Sequence, residues 1–176
     1  MDDHQLMLNY QRGDAEAFTE LYRRHQSVLL RYLTRQLRQH ALAEELFQEV
    51  WIKVINASAR YQPTAKFTTW LYTIAHNCLC DYWRRNQPES HSSALNDLHH
   101  DNSPEYQNER AQQQQHILAL VANLPEEQRT CFLLKEQAGL RLEEIAAITQ
   151  CSTETCKSRL RYAMQKLRAG LEAENV

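Results

Sequence analysis

Apolar residues recur at intervals of three and four along most of this chain of 176 residues. Leu21, Leu29 and Leu33 belong to one such series. The interval is that of one face of an α-helix, and a helix with such a face must bury it against another element. Only three Gly and four Pro residues are present, too few for the many turns of a β-protein. The sequence therefore predicts an all-α fold.

The N-terminal part of the chain, residues 1–87, carries three long apolar stripes. Asp14 precedes the first stripe and is a suitable helix N-cap. Pro63 lies between the second and third stripes, where it forbids a continuous helix. Three amphipathic helices with a short leading helix are enough to close a bundle. We predict that this part forms a first small helical domain.

The composition changes in residues 88–115. This segment holds five acidic residues against Arg110 alone and few large apolar residues, which is typical of a flexible linker. Helical spacing then returns, with Pro125 suited to the first turn of a helix and Gly139 to a left-handed cap. We therefore predict two small helical domains joined by this acidic linker, the second covering residues 116–176.

The stretch "EEIAAITQCSTETCKSRL", Glu143–Leu160, interrupts a helical pattern with a short polar turn. Ser152 is a good N-cap for the following helix, and the small Ala146 would let the two helices cross closely. Residues 155–171 contain five basic residues and no acidic residue. Basic and hydroxyl side chains on the outer face of a second helix can enter the major groove of DNA. The pattern predicts a DNA-binding helix-turn-helix, which the formal net charge of -2 hides.

Two polar helix faces in the first domain are candidates for partner binding. The third helix of this domain presents Asn77, Asp81, Arg84 and Arg85 away from its apolar face, a surface suited to unpaired bases and backbone phosphate. The segment "AEELFQEVWIKV" lines one flank with carboxylates and an amide. Taken alone, each feature is more often an ordinary solvated face.

Cysteine and histidine patterns give no clear metal signal. The five Cys residues form no paired CxxC motif, and an odd number of thiols suits a reducing compartment. His99 and His100 suggest a metal, but they lie in the polar linker. No apolar run approaches the roughly 18 residues of a membrane span. We expect a cytoplasmic protein without membrane insertion, bound metal, cofactor or catalytic residues.

Together, three motifs resemble a bacterial RNA polymerase sigma factor of the extracytoplasmic-function class (group 4) of the sigma-70 family. "AEELFQEVWIKV" is similar to the region-two helix that grips core RNA polymerase. "FTTWLYTIAHNCLCDYWRR" is similar to the helix and adjoining loop that melt the minus-ten element. "LPEEQRTCFLLKEQAGLRLEEIAAITQCSTETCKSRL" is similar to region four, which reads the minus-thirty-five element. The motifs stand in the family's order and cover nearly the whole chain outside the linker.

The resemblance implies a function and partners. It implies a promoter-specificity subunit, not an enzyme, that binds core RNA polymerase and directs promoter-specific transcription initiation on promoter DNA. It also implies control by an envelope or environmental signal and restraint by an anti-sigma factor.

The resemblance further implies roles for individual residues at matching positions. The minus-thirty-five element would be contacted by Lys135, Glu154, Lys157, Ser158 and Arg161. The minus-ten element would be contacted by Tyr61, Lys66, Phe67, Asn77, Asp81, Arg84 and Arg85. Within that set, the loop from Tyr61 to Phe67 would hold a flipped-out base. Polymerase would be bound by Glu45, Gln48 and Glu49.

Two other interpretations remain open on the sequence alone. One is a conventional helix-turn-helix regulator whose first domain senses a ligand or dimerises; such a protein would bind duplex promoter DNA without polymerase. The other is a metal-dependent helical enzyme using His76, Asp81, His99 and His100, although these residues have no convergent ligand spacing.

Two positions depart from the family pattern. Gln150 stands where the family commonly has Gly in the turn, and Cys156 replaces a usual aliphatic residue. Because Gln tolerates a left-handed backbone less well than Gly, we expect slight strain in the turn. We also expect that the two domains, where they dock on each other, hide Lys157 and Arg161 or the face that carries Asn77.

Overall fold

The computed structural model describes residues 1–87 and 108–174, and every regular element within them is helical. The N-terminal domain contains α1 (Asp3–Gln11), α2 (Ala15–Leu37), α3 (His40–Ala57), a single 3₁₀ turn (Ser58–Arg60) and α4 (Phe67–Arg85). The C-terminal domain contains α5 (Asn108–Ala122), α6 (Glu126–Glu136), α7 (Leu142–Thr149) and α8 (Thr153–Glu174). The prediction of an all-α fold with two small helical domains is confirmed.

Most of the predicted linker lies outside the described residues. Its C-terminal end does not, because α5 begins at Asn108 and runs across the predicted boundary at residue 115. In the two described segments, no helix is both long enough and apolar enough to cross a membrane.

The long helix α2 begins where the sequence predicts. The Asp14 carboxylate accepts hydrogen bonds from the backbone N–H groups of Glu16 and Ala17, at 3.0 and 3.3 Å. These bonds satisfy two of the donors that every helix N-terminus leaves unpaired. Gly13, with φ of 101°, makes the sharp turn between α1 and α2 that a residue with a Cβ adopts only under strain.

The core of the N-terminal domain is aromatic. Trp51 on α3 packs against Phe18 and Tyr22 on α2, with ring centroids 5.8 and 4.9 Å away, and Tyr10 of α1 stacks on Phe18. Such pairs contribute about 0.5–1.5 kcal/mol each beyond the apolar area they bury. Large rings shared by α1, α2 and α3 therefore fix how these helices pack and hold the exposed face of α3 in place.

The core of the C-terminal domain is built from smaller side chains. Leu134, Ile145, Ile148 and Ala163 are fully or almost fully buried between α6, α7 and α8. Small side chains let short helices cross closely, as a helix-turn-helix requires.

The two domains dock on each other through α2 and α4 on one side and mainly α6 and α7 on the other. Gln36 of α2 is 2% exposed and takes part in this contact. Its amide donates to the Thr130 hydroxyl at 3.0 Å, and its carbonyl oxygen accepts from the Arg129 guanidinium at 3.0 Å. Lys66 forms an ion pair with Glu144 at 3.3 Å at the edge. Buried hydrogen bonds of this kind fix the register of the docked domains, because a shifted register would leave them unsatisfied.

The expectation that docking hides the predicted DNA-binding residues is wrong. Lys157, Arg161 and Asn77 are all exposed in the docked arrangement. The physical reason is that the C-terminal domain meets the N-terminal domain mainly through α6 and α7, which leaves the outer face of α8 in solvent.

Candidate nucleic-acid and polymerase interfaces

Helices α7 and α8 form the predicted helix-turn-helix. Gln150 ends α7 with φ of 53°, in the left-handed region of the backbone. A side chain with a Cβ is strained there, as expected from the sequence. The Ser152 hydroxyl then caps α8 by accepting from the backbone N–H of Thr155 at 3.0 Å. Ala146 is buried where the two helices meet. The turn thus folds as predicted, and Gln150 adopts a strained backbone conformation that Gly would adopt without strain.

The outer face of α8 presents most of the predicted minus-thirty-five residues to solvent. Glu154, Lys157 and Arg161 are exposed and one turn apart, while Ser158 beside them is half-buried. Lys135, also exposed, comes from the last turn of α6. A helix carrying Lys and Arg at successive turns can lie in a major groove and neutralise the phosphates on its walls.

Two arginines on and beside this face are held by partners within the protein. The Arg159 guanidinium pairs with the Glu127 carboxylate of α6 at 2.9 Å. The Arg161 guanidinium stacks over the ring of Tyr162, 5.3 Å from its centroid. The first contact ties the inner side of α8 to α6, and the second holds Arg161 in place on the outer side.

The outer face of α3 brings the predicted polymerase-binding residues together and extends beyond them. Glu45 and Gln48 are exposed, and Glu49 forms an ion pair with Lys53 at 2.9 Å. Ile52 and Ile55 continue this stripe and are 57% and 42% exposed. Exposed large aliphatic residues beside carboxylates are typical of a protein-docking surface. Sequence reasoning missed both, although their helical spacing from Glu45 and Gln48 was the signal that could have found them.

A concavity that we call the acidic groove lies between the start of α3 and the end of α4. Its volume is about 390 Å³, and it is lined by Leu42, Glu45, Leu46, Glu49, Tyr82, Arg85 and Asn86. Arg85, assigned with the minus-ten residues on sequence grounds, therefore lies beside the predicted polymerase-binding carboxylates. Its guanidinium also donates to the backbone carbonyl oxygen of Asp81 at 3.2 Å, so Arg85 contacts its own set as well.

The remaining polar minus-ten residues lie along α4 and the loop before it. Asn77 is exposed, and one turn further the Asp81 carboxylate accepts from the Arg84 guanidinium at 2.7 Å. Lys66 is exposed but paired with Glu144 of the C-terminal domain. Asn77, Asp81 and Arg84 thus share a stripe, while Lys66 is engaged at the domain contact.

Tyr61 and Phe67 are not placed where a base could stack on them. They are 4% and 2% exposed, and both rings pack against each other and against Trp70. The Tyr61 hydroxyl bonds the His4 ring, and burial raises the pKa of Tyr61 to about 12. The physical reason for this departure from the assigned contact is that both rings complete the aromatic core. The buried rings of Tyr61 and Phe67 thus support the loop between them from the protein interior.

The cysteines Cys131 and Cys156 behave as small hydrophobic residues. Both are fully buried between α6 and α8, and burial raises the pKa of the Cys131 thiol to about 12. Cys156 therefore fills the position of the usual aliphatic residue. Within residues 1–87 and 108–174, no group of three potential metal ligands comes together. His99 and His100 lie outside the described residues.

The chain belongs to the class of two-domain all-α proteins, with a basic helix-turn-helix in the C-terminal domain and a separate exposed face of carboxylates and isoleucines on α3. Comparison with known families defines the class further. Sigma-70 region 2 matches residues 21–89, and Sigma-70 region 4 matches residues 114–167.

Curated relatives match along nearly the whole chain. The RNA polymerase sigma-H factor of Pseudomonas aeruginosa is 30% identical, over 97% of this chain and 94% of its own length. The RNA polymerase sigma factor CarQ of Myxococcus xanthus is 29% identical over 92% and 93%. The ECF RNA polymerase sigma-E factor of Haemophilus influenzae is 28% identical over 95% and 94%. The chain belongs to the sigma-70 family of RNA polymerase sigma factors, in its extracytoplasmic-function class.

Two solved structures share the fold. CnrH, determined in complex with the cytosolic domain of CnrY, matches with a TM-score of 0.74 at 20% identity, covering 97% of each chain. RpoE of Bartonella quintana, determined in complex with the anti-sigma factor NepR, matches with a TM-score of 0.70 at 21% identity, covering 90% of this chain and 98% of that one. The sigma-factor assignment replaces the conventional regulator as the interpretation of the sequence.

Proposed function

We propose that this sigma factor binds core RNA polymerase through the outer face of α3 and reads promoter DNA through α8 and α4. The observation that carries the proposal is the separation of chemistry between two exposed faces. Carboxylates and isoleucines occupy α3, whereas Lys157 and Arg161 occupy α8. Both faces remain in solvent while the domains are docked, so the free protein presents them to partners.

The division of labour follows from what each face can bind. The α3 face would place Ile52 and Ile55 against an apolar patch of polymerase, with Glu45 and Gln48 at the rim. The α8 face would lie in the major groove at the minus-thirty-five element, with Lys135 and Arg161 near phosphates and Lys157 near base edges. Asn77, Asp81 and Arg84 would meet the minus-ten element. These assignments give each predicted residue set one physical task.

The docked arrangement would have to open when both promoter elements are read. Elements centred about 25 positions apart lie about 85 Å apart on B-form DNA, at about 3.4 Å per base pair. Two compact domains of this size are each about 30 Å across, so a docked pair reaches only about 60 Å. Residues 88–107 would span about 70 Å if fully extended. We propose that polymerase binding separates the domains and breaks the hydrogen bonds at Gln36.

We also propose restraint by an anti-sigma factor, in a cytoplasmic protein that carries no catalytic activity. RpoE of Bartonella quintana was determined with such a factor bound. The exposed isoleucines of α3 offer an apolar surface that a competitor of polymerase could cover. An anti-sigma factor acting there would lose affinity when Ile52 is replaced by Asp, as polymerase would.

In-vitro transcription tests the function directly. Core RNA polymerase and a library of promoter-bearing fragments are incubated with and without this protein, and transcript starts are mapped. We expect a defined set of starts that share upstream and downstream elements and that require both components. Starts that do not change when the protein is added would refute the proposal.

A further inference from the structure

The second half of α2, with the residue that ends it, carries three arginines that we call the arginine row: Arg31, Arg35 and Arg38. Their spacing of four and three residues places them along one side of the helix, over about 10 Å of its length. Arg31 and Arg38 are exposed, and Arg35 is half-buried. Residues 21–43, which include the row, contain five Arg and no Asp or Glu. Positive charge is therefore concentrated on this side of α2.

Among the described residues, no carboxylate forms an ion pair with the arginine row. The two arginines nearer the start of α2 are paired with carboxylates of α1 and α2. Arg35 instead donates to the neutral side-chain carbonyl oxygen of Gln137, at the end of α6, at 3.1 Å. Burial and the neighbouring Arg31 lower the pKa of Arg35. The row is therefore suited to an anion that would neutralise it.

The arginine row borders the contact between the two domains. Arg38 ends α2, and Arg129 of the C-terminal domain is buried near it. The acceptors that Arg129 bonds are neutral, the Gln36 carbonyl oxygen at 3.0 Å and the Leu124 carbonyl oxygen at 3.2 Å. Burial, and then the like charge of Arg38, lower the pKa of Arg129. Two like charges thus belong to different domains at this contact, and an anion beside them would stabilise the docked arrangement.

The chain itself contains a segment of opposite charge, residues 88–107, which lies outside the described residues. This segment holds four acidic residues and no Lys or Arg. Three of the four, Asp97, Asp101 and Glu105, recur at intervals of four. A guanidinium binds a carboxylate through two parallel hydrogen bonds, so a row of arginines suits a series of carboxylates. The segment therefore complements the arginine row in charge.

The residues on either side of this segment are near the arginine row. Before it, Asn86 at the end of α4 lines the acidic groove together with Leu42, four residues after Arg38. After it comes α5, and just beyond the C-terminal end of α5 the Leu124 carbonyl group bonds Arg129. Since α5 has 15 residues, its start lies within about 25 Å of that bond. A segment tethered at both ends in this way has an effective concentration of about 1 mM or more, which populates even weak contacts.

We propose that, in the free protein, residues 88–107 bind the arginine row through their carboxylates. The bound carboxylates neutralise Arg38 beside Arg129 and so stabilise the docked arrangement. Duplex DNA is a poorer occupant, because Glu136 is exposed next to Gln137 and repels a broad polyanion laid along the row. A single chain is narrow enough to pass that carboxylate. This inference goes beyond the proposed function and does not depend on polymerase.

Carbodiimide coupling tests the contact in the full-length free protein. Arg31→Lys and Arg38→Lys keep the positive charge and introduce an amine, which a carbodiimide links to a carboxylate in direct contact. The matched control is Arg168→Lys on α8. All three positions are exposed, so folding should be retained, which thermal unfolding checks. Mass spectrometry of the digested protein then identifies the linked residues.

We expect the amines at positions 31 and 38 to be linked to residues 97–105 several-fold more often than the amine at position 168. Links that form equally from position 168 would mean that the acidic segment samples every basic surface alike, which would overturn the inference. Absence of such links at positions 31 and 38 would overturn it as well.

A labelled peptide of residues 88–107 tests whether the arginine row is already occupied. Asp97→Asn, Asp101→Asn and Glu105→Gln, made together, remove charge from the chain's own segment and free the row. The peptide should bind this neutralised chain about tenfold more tightly than wild type in fluorescence anisotropy, because the wild-type segment competes from its tethered position. Arg31→Glu combined with Arg38→Glu in the neutralised chain should abolish that gain.

Two results of the peptide experiment would contradict the proposal. One is equal affinity of the peptide for wild type and for the neutralised chain. The other is a labelled duplex of arbitrary sequence that binds the neutralised chain more tightly than the peptide does and loses this affinity on Arg31→Glu combined with Arg38→Glu. The second result would make the arginine row a surface for nucleic acid.

Discussion

The inner sides of α3 and α8 are both well packed, but the outer faces of these two helices differ in chemistry. The α3 face combines Glu45 with the exposed Ile52 and Ile55, whereas the α8 face combines Lys157 with Arg161. Apolar area and carboxylates favour a protein partner, since carboxylates repel the DNA backbone. Cations at successive turns favour DNA. A formal net charge of -2 thus averages over two faces of opposite chemistry and identifies neither of them.

The largest expected effect comes from reversing charge on the α3 face. Glu45→Lys combined with Glu49→Lys should lower affinity for core RNA polymerase about 100-fold, because buried or half-buried interfacial charges cost about 2–5 kcal/mol when their partners are lost. Competition binding against the wild-type protein measures this change. The control is Glu136→Lys combined with Glu172→Lys, which makes the same charge change at exposed positions of the C-terminal domain. If both pairs of substitutions weaken polymerase binding alike, α3 is not the docking face.

The α8 face should respond in a different way. Lys157→Ala or Arg161→Ala should weaken minus-thirty-five recognition by about 1–3 kcal/mol for a base contact, with polymerase affinity unchanged. Loss of a phosphate contact instead lowers the affinity for all DNA sequences by a similar factor. It also reduces the slope of log affinity against log salt concentration by about one. Promoter binding by the assembled polymerase across salt concentrations distinguishes the two. The control is Lys166→Ala, which lies about two and a half turns further along the same helix and on its opposite side. An effect equal to that of Lys157→Ala would remove Lys157 from the recognition face.

The contact between the two domains gives the next effect in size. Gln36→Leu leaves the buried Arg129 guanidinium and Thr130 hydroxyl without their partner, which should lower the free energy of unfolding by about 1–2 kcal/mol. Urea denaturation of the free protein measures it, with Gln114→Leu on the exposed face of α5 as the control. We also expect Gln36→Leu to leave transcription intact or raise it, since the proposed opening on the promoter breaks this contact. A loss of transcription with normal protein stability would show that the docked arrangement is needed for activity.

The smallest effect concerns the turn between α7 and α8. Gln150→Gly removes backbone strain of about 1–2 kcal/mol from the folded state. It also raises the conformational entropy of the unfolded chain, which costs about 0.5–1 kcal/mol of stability. The net gain in stability should be about 0.5 kcal/mol, seen as a slightly higher Tm. The contrasting change is Gln165→Gly at an exposed position within α8, which should destabilise the protein by about 1 kcal/mol because the backbone there is helical. A lower Tm for Gln150→Gly would mean that the Gln side chain itself stabilises the turn.

Local sequence signals predicted much of the fold. Asp14 and Ser152 cap helices as expected, because capping depends on residues two or three positions away. The left-handed Gln150 also follows from a local comparison with Gly. The pairing of Gln36 with Arg129 and Thr130 could not be predicted, because it joins residues 93 and 94 positions apart whose side chains carry no periodic signal.

For the candidate site, the sequence predicted the exposure of some residues correctly and that of others wrongly. The exposure of Lys157 and Arg161 on α8 could be predicted because a helix displays its outer residues at a fixed period. Tyr61 and Phe67 were assigned to base binding, but a loop aromatic can turn inward or outward, and here both rings complete the core. The acidic groove could not be predicted because its lining residues come from the start of α3 and the end of α4. Convergence of that kind is a property of packing and leaves no local pattern.

We propose that promoter recognition by this chain depends on polymerase. The most direct measurement is the binding of one labelled duplex promoter, chosen by transcription mapping, to the free protein and to the protein assembled with core RNA polymerase. We expect the free protein to bind weakly, with an affinity little different from that for a scrambled duplex. In the assembly, specific binding should be at least about 100-fold tighter, because both promoter elements are then engaged by the opened domains. Specific, equally tight binding by the free protein, unchanged when polymerase is added, would contradict it.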